Sequence, residues 1–303
     1  MSEAYMDMSV NIAGITLKNP VVTASGTCGY GSEYADYYSP ADIGAITVKC
    51  ITAAPRRGKP PPRVTETPAG MLNAIGLQNP GAAYFLDKEL PKLKSIGATV
   101  IVNIAGSSPE EYGEVAEMLD SSSADMIEMN ISCPNVKEGG IAFGTDAKLA
   151  ESVTRAVREK TSKPLIVKLS PNVTDITEIA RAAEAGGADA LNLINTLLGM
   201  RIDIKKRKPI IANVTGGLSG PAIFPVALRM VWQTRRVTKL PIIGGGGIAT
   251  SSDAIEMMIA GANAVSVGTA MFSDPYAPIK IRDGIRDYCM ETGIPVTELC
   301  NNF

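Results

Sequence analysis

Eight short apolar segments, most of them separated by a helix-length amphipathic stretch, constrain this chain more than any other feature. The segments are Val21–Ala24, Ala45–Val48, Thr99–Ile104, Met126–Ile131, Leu165–Leu169, Ala190–Ile194, Ile242–Gly244 and Ala264–Val267. Each has strand length and reads as a buried strand. The intervening helical patterns are Ala82–Ser95, Pro109–Leu119, Asp146–Lys160, Asp175–Ala185, Pro221–Arg235 and Ser252–Ala260. Strands alternating with helices imply βαβ units and a parallel sheet. Eight strands in 303 residues predict an α/β fold of the (β/α)8 TIM-barrel type. Composition does not shift along the chain and no linker is evident, so residues 1–303 read as a single domain. The competing fold, an open doubly wound sheet, lacks its G-x-G-x-x-G after the first strand.

Two smaller signals agree. Val10-Asn11-Ile12 and Ile15-Thr16-Leu17 flank Ala13-Gly14 as a short hairpin ahead of the first barrel strand. Gly44-Ala45, Gly97-Ala98, Gly187-Ala188 and Gly261-Ala262 each stand just before a strand. At the last three, the glycine follows a helical pattern and can end it with a positive φ.

The totals remove whole classes of chemistry. There is no histidine, which excludes Ser-His-Asp hydrolases, histidine-ligated metal centres and haem proteins with a histidine ligand. Protons must move through Cys, Lys, Asp, Glu or Tyr. Five widely spaced cysteines without a CxxC pair argue for reduced thiols and against a structural zinc or iron–sulfur site in this chain. A net charge of −2 gives no general pull toward nucleic acid or anionic membrane. The basic run Lys205-Lys206-Arg207-Lys208 reads as a solvated loop. The start of the chain lacks a basic n-region and an apolar h-region, and no apolar stretch has spanning length, so a cytoplasmic protein is expected.

A barrel gathers the ends of its strands on one rim, where such folds keep their chemistry. In order, these ends offer Ser25, Lys49, Asn103, Asn130 with Cys133, Lys168, Asn195 with Thr196, Gly246-Gly247 and Gly268-Thr269. Two lysines and three strand-end asparagines are costly to bury without partners, which implies a polar, anionic ligand. The last two strands end in glycine-rich turns, and Ser251 or Ser252 would cap the next helix, so a phosphate is expected there. Lys168 reads three ways: a Schiff-base lysine, a cation holding negative charge on a reduced cofactor, or half of a structural salt bridge. Cys133 is either a packed small residue or, in the absence of histidine, a thiolate base for a carbon acid. Cys28 and Cys50 fall near the same rim. Long connections after Lys49, around Cys133 and after Thr196 have the position of covers over the site.

Four motifs go further. They are Asn130-Ile131-Ser132-Cys133-Pro134-Asn135-Val136-Lys137, Asn73-Ala74-Ile75-Gly76-Leu77-Gln78-Asn79-Pro80-Gly81, Val167-Lys168-Leu169-Ser170-Pro171-Asn172 and Thr215-Gly216-Gly217-Leu218-Ser219-Gly220-Pro221. Together, and in this order, they resemble the dihydroorotate dehydrogenases, above all the catalytic subunits of the NAD-linked class 1B. The resemblance runs from about residue 8 to residue 275. It implies a barrel holding FMN that oxidises dihydroorotate to orotate in pyrimidine synthesis. By that resemblance Cys133 is the base at C5, and a hydride leaves C6 for the flavin. Lys49 would reach flavin and orotate, and Asn73, Ala74, Ile75, Gly76 and Leu77 would cradle orotate. Asn130, Asn195 and Thr196 would hydrogen-bond its ring and carboxylate. Ser25, Cys50, Asn103, Asn130, Lys168, Ile194 and Gly220 match flavin-contacting positions, with Gly246, Gly247, Gly268 and Thr269 around the phosphate.

Class 1B further implies a homodimer core bound to a second subunit that carries FAD and a 2Fe–2S cluster and passes electrons to NAD+. This sequence shows neither a dinucleotide fingerprint nor a cluster motif, which suits a catalytic subunit and equally a fumarate-using class 1A homodimer. The loop from Val136 to Gly144 looks like class 1B. A dihydropyrimidine dehydrogenase-like reductase, a non-redox Schiff-base barrel and a non-catalytic binding module are the remaining rivals. Three departures stand out: Cys50-Ile51 after Lys49, Gly245 where a bulkier side chain is more usual, and a short tail after Cys300.

Overall fold

The computed structural model describes residues 6–132 and 140–301. Its centre is an eight-stranded parallel sheet. In chain order the strands are β1 (Val21–Thr23), β2 (Ile46–Thr47), β3 (Val100–Ile104), β4 (Met126–Asn130), β5 (Leu165–Lys168), β6 (Ala190–Leu193), β7 (Ile242–Gly245) and β8 (Ala264–Val267). Each pairs with its sequence neighbour from β2 to β8, and β8 returns to β1 through Val265↔Val21 and Val267↔Thr23. A parallel bridge between Val22 and Ala45, with Thr23 N–H donating to Ala45 O at 3.3 Å, closes the ring. The eight apolar segments are thus the eight staves of a (β/α)8 barrel, and no end differs from the sequence reading by more than one residue.

The helices follow from their caps. Ser108, Asp146 and Asp175 stand just before Pro109–Asp120, Ala147–Arg158 and Ile176–Ala185, and each side chain accepts an N–H of the first turn. After the helices Leu90–Ser95, Ile176–Ala185 and Ser251–Ile259, Gly97, Gly187 and Gly261 have φ of 75°, 98° and 121°. Paired bonds such as Gly187 N to Glu184 O and Ala188 N to Ala183 O complete a Schellman turn at each joint. The first return has no helix; two 3-10 turns, Ser32–Tyr34 and Pro40–Asp42, carry the chain from β1 to β2. The helical pattern from Ala82 to Ser95 contains a π segment, Phe85–Glu89, because Pro91 has no N–H to continue the α ladder. The last α-helix among the described residues, Ala277–Thr292, packs near β1.

Before β1, the hairpin Val10–Ile12 and Ile15–Leu17 turns at Ala13 and Gly14, both with positive φ, and buries Ile12 and Leu17 in the barrel's core. Above the opposite end, the two long connections join. Gly70–Asn73, from the one after Lys49, pairs antiparallel with Thr215–Ser219, from the one after Thr196. With Val64–Thr67 and Leu197–Met200 they form a single four-stranded sheet. In sequence these stretches read as loops; their glycines and short alternations are weak strand signals until they find each other. Among the described residues no helix is long and apolar enough to cross a membrane.

Candidate active site

Between the barrel's C-terminal rim and the four-stranded sheet lies a cavity of about 700 Å3. Ser25, Lys49 and Cys50 line it from the first two strand ends, and Asn73, Ile75, Gly76 and Leu77 from the sheet and the turn beyond it. Asn130, Lys168, Ile194, Asn195 and Thr196 contribute from the middle strands. Gly220, Gly246, Gly247, Gly268 and Thr269 close the far end. Residues scattered over more than two hundred positions therefore share one space. Cys133 lies outside the described residues.

Two expected lining residues do not line it. Ala74, just past the strand Gly70–Asn73, is fully buried, its N–H donating to Arg63 O at 2.7 Å. Asn103 is inside β3, not at its end, and points into the barrel interior. There its Nδ2 donates to Glu128 Oε1 at 2.5 Å, while its Oδ1 is buried with no donor. The expected caps also shift. Thr250, not Ser251 or Ser252, caps Ser251–Ile259, because Asp253 then falls at the third position and completes a capping box. The Asp253 carboxylate accepts from Ala249 N and Thr250 N at 2.9 and 2.8 Å, so this helix end spends those donors internally.

The strand that leads to residue 133 ends in a compact knot. Asn130 Oδ1 accepts from Ser132 N at 3.1 Å and from Ser132 Oγ at 2.9 Å. Asn195 Nδ2 reaches across to donate to Ser132 Oγ at 2.7 Å and to Asn130 Oδ1 at 3.3 Å. Tyr112 OH, fully buried, donates to Asn130 O at 2.6 Å. Asn130 and Asn195 thus hold each other through Ser132, the residue before the expected base. Asn172 does similar work on the next loop: its Nδ2 donates to Thr196 O at 3.0 Å and its Oδ1 accepts from Leu198 N at 2.8 Å.

The turn from Asn73 to Leu77 is equally fixed. Gly76 and Leu77 have φ of 75° and 58°, and a Cβ on Gly76 would lie 2.9 Å from Lys59 N. Buried Asn79 staples the turn, donating to Leu77 O at 2.7 Å and accepting from Thr52 N and Gly81 N. At the far end Thr269 Oγ1 donates to Ser219 Oγ at 2.8 Å, tying β8 to the covering sheet.

Lys168, the last residue of β5, is 6% exposed and reaches the cavity. Its ion-pair partner is Glu128, 3.9 Å away at the barrel centre. Sequence reasoning misses Glu128 because it lies in the apolar run Met126-Ile127-Glu128-Met129; a lone acid in a buried strand is the available signal. The other cysteines divide. Cys50 lines the cavity. Cys28 does not: it is buried against Thr23 and Thr47, and desolvation pushes its thiol up to about 12. Cys289 and Cys300 are buried, and burial raises both thiols. Gly245 has a local cause: a Cβ there would lie 2.7 Å from Ser266 Oγ and 2.9 Å from Ser266 O on β8.

Comparison with known proteins accords with this geometry. The family described as "Dihydroorotate dehydrogenase" matches residues 7–289. Proteins named "Dihydroorotate dehydrogenase B (NAD(+)), catalytic subunit" from Geotalea uraniireducens and Geobacter sulfurreducens are 59% and 58% identical, each over 95% of both chains. The counterpart from Alkaliphilus metalliredigens is 55% identical over 95% of this chain and 96% of its own. Among solved structures, DHODH in complex with ferulenol from Eimeria tenella superposes with a TM-score of 0.80 at 25% identity, covering 98% of this chain and 88% of that one. With its fold, its motifs and nearly its whole length matched, the chain belongs to the dihydroorotate dehydrogenase family.

Proposed function

We propose that this chain is the catalytic subunit of an NAD+-linked dihydroorotate dehydrogenase, oxidising (S)-dihydroorotate to orotate for pyrimidine synthesis. The carrying observation is a single cavity of about 700 Å3 that unites Lys49, Asn73, Asn130, Lys168, Asn195 and Thr196, in a chain 55–59% identical to proteins of that name. The reading takes residues 1–303 as one catalytic domain working in the cytoplasm.

FMN suits this cavity on three grounds. The volume lies within the roughly 300–1,000 Å3 of cofactor-sized sites. Two lysines, Lys49 and Lys168, line it and favour an anionic group. The glycine turns at Gly246-Gly247, with φ of 121° and 85°, and at Gly268 let backbone approach a phosphate closely. Ser25, Cys50, Asn130, Ile194, Gly220 and Thr269 complete the lining assigned to the cofactor, and Asn103 supports it from below. When bound, FMN supplies the acceptor for the hydride that leaves C6 of the substrate.

The protein's own part is binding and proton transfer. Lys49 and the donors of Asn73, Asn130, Asn195 and Thr196 fix the substrate's ring and carboxylate, and the Ile75–Leu77 turn closes over it with Ala74 packed behind. The C5 proton is weakly acidic because C5 is adjacent to a carbonyl. Cys133 takes it as thiolate, a role suited to a chain without histidine. The electrons leave through a partner subunit carrying FAD and a 2Fe–2S cluster, docked on a homodimer of this chain, and reach NAD+.

Co-expression with that partner tests the assignment. Dihydroorotate-dependent formation of NADH is expected from the complex, with little from this chain alone. Efficient turnover of the isolated chain with fumarate, and none with NAD+ in the complex, would assign it to the fumarate-using class instead.

A further inference from the structure

A fully buried carboxylate sits beneath the cavity where the proposed reaction gives it no direct part. Glu128 is 0% exposed at the centre of the barrel. One oxygen accepts from Asn103 Nδ2 on the neighbouring strand β3. The other accepts a short hydrogen bond from Asn192 Nδ2 on β6, which reaches past β5 to make it. Between them stands Lys168 on β5, in register with Asn192 and with Asn130. Its Nζ is 3.9 Å from Glu128 Oε1, close enough to feel the charge and too far to hydrogen-bond. Among the described residues the Lys168 ammonium donates to no acceptor.

Geometry of this kind separates two properties that usually travel together. A buried ammonium is stabilised by a nearby counter-charge. A carboxylate in contact would supply it and also consume the donors. Here the two asparagines hold Glu128 back, so the charge is compensated while the donors stay turned to the cavity. We propose that Glu128 is a positioning residue for Lys168, held off it by Asn103 and Asn192, and that this spacing sets how strongly Lys168 favours negative charge on the cofactor. The inference rests on the reading of the cavity as a flavin site.

Two variants act in opposite directions. Glu128→Gln removes the counter-charge, leaves Lys168 less compensated and makes the bound flavin easier to reduce. Asn192→Ala releases one carboxylate oxygen to close on Lys168, neutralises it further and makes the flavin harder to reduce. The readout is equilibration of purified flavin-loaded protein with a reference redox dye, with no substrate present. The expected change in the reduced-to-oxidised ratio is about tenfold each way, or about 30 mV for a two-electron couple. If Glu128→Gln does not fold, Asn192→Ala carries the test alone. Shifts of the same sign, or none in a variant that folds and binds flavin, overturn the proposal while the flavin reading stands. A wild-type chain that takes up no flavin overturns both.

Discussion

In the proposed reaction Cys133 takes the C5 proton, and the strand end just before it is held by three side chains. Asn130, Ser132 and Asn195 tie the end of β4 to the end of β6 one residue before the thiol. Replacing Cys133 by Ala is expected to leave the protein yellow and slow flavin reduction by dihydroorotate by about 10²–10⁴-fold, the usual worth of a positioned general base. Cys133→Ser should be slow at neutral pH and recover as pH rises, since a hydroxyl releases its proton only in alkali; stopped-flow traces across pH check both variants. Cys28 behaves differently. Burial raises its thiol from the ordinary 9.0 to about 12, so the unfolded chain ionises first. The stabilisation is whole below about pH 9 and fades as pH climbs toward 12. Urea midpoints at about pH 8 and about pH 10.5 should fall for the wild type, with a shallower fall in Cys28→Ala.

At the scale of elements, the glycine joints and caps decide where each βα unit begins and ends. Gly97 has φ of 75° and nothing within 4 Å of the Cβ it lacks, so substitution there measures backbone cost alone. Gly97→Ala is expected to cost about 1–2 kcal/mol and Gly97→Asn less, because Asn tolerates the left-handed region; thermal melts of the pair decide it. Gly245 is held by packing. The Cβ of Gly245→Ala would press on the Ser266 backbone as well as its hydroxyl, so the variant should lose about 1–3 kcal/mol, and adding Ser266→Ala should not restore it. The strands, the helices between them and the three helix-ending glycines were legible because periodicity and capping are local. The covering sheet was not: Gly70–Asn73 and Thr215–Ser219 are paired across more than a hundred residues, and neither has a strong strand pattern alone. The Asp253 capping box is present in Thr250-Ser251-Ser252-Asp253, but in sequence the two serines compete with Thr250 for the cap.

For the whole molecule, the barrel brings seven of its eight strand ends to one site. Most of that cavity's lining could be read from the chain, because lysines, asparagines and glycines recurring at successive strand ends gather in one space. What lay deeper could not. Asn103 proved to be inside its strand, and Glu128 and Asn192 face the interior. Which side of a short strand points inward depends on the closure of the barrel. The central claim is that this cavity holds a flavin that dihydroorotate reduces. Its most direct test is anaerobic: purify the chain with FMN bound, record the visible spectrum, and add dihydroorotate with no other acceptor. Bleaching of the flavin band in a single turnover is the predicted result. A flavin-loaded protein that stays yellow under dihydroorotate, alone and with its partner subunit, would contradict it.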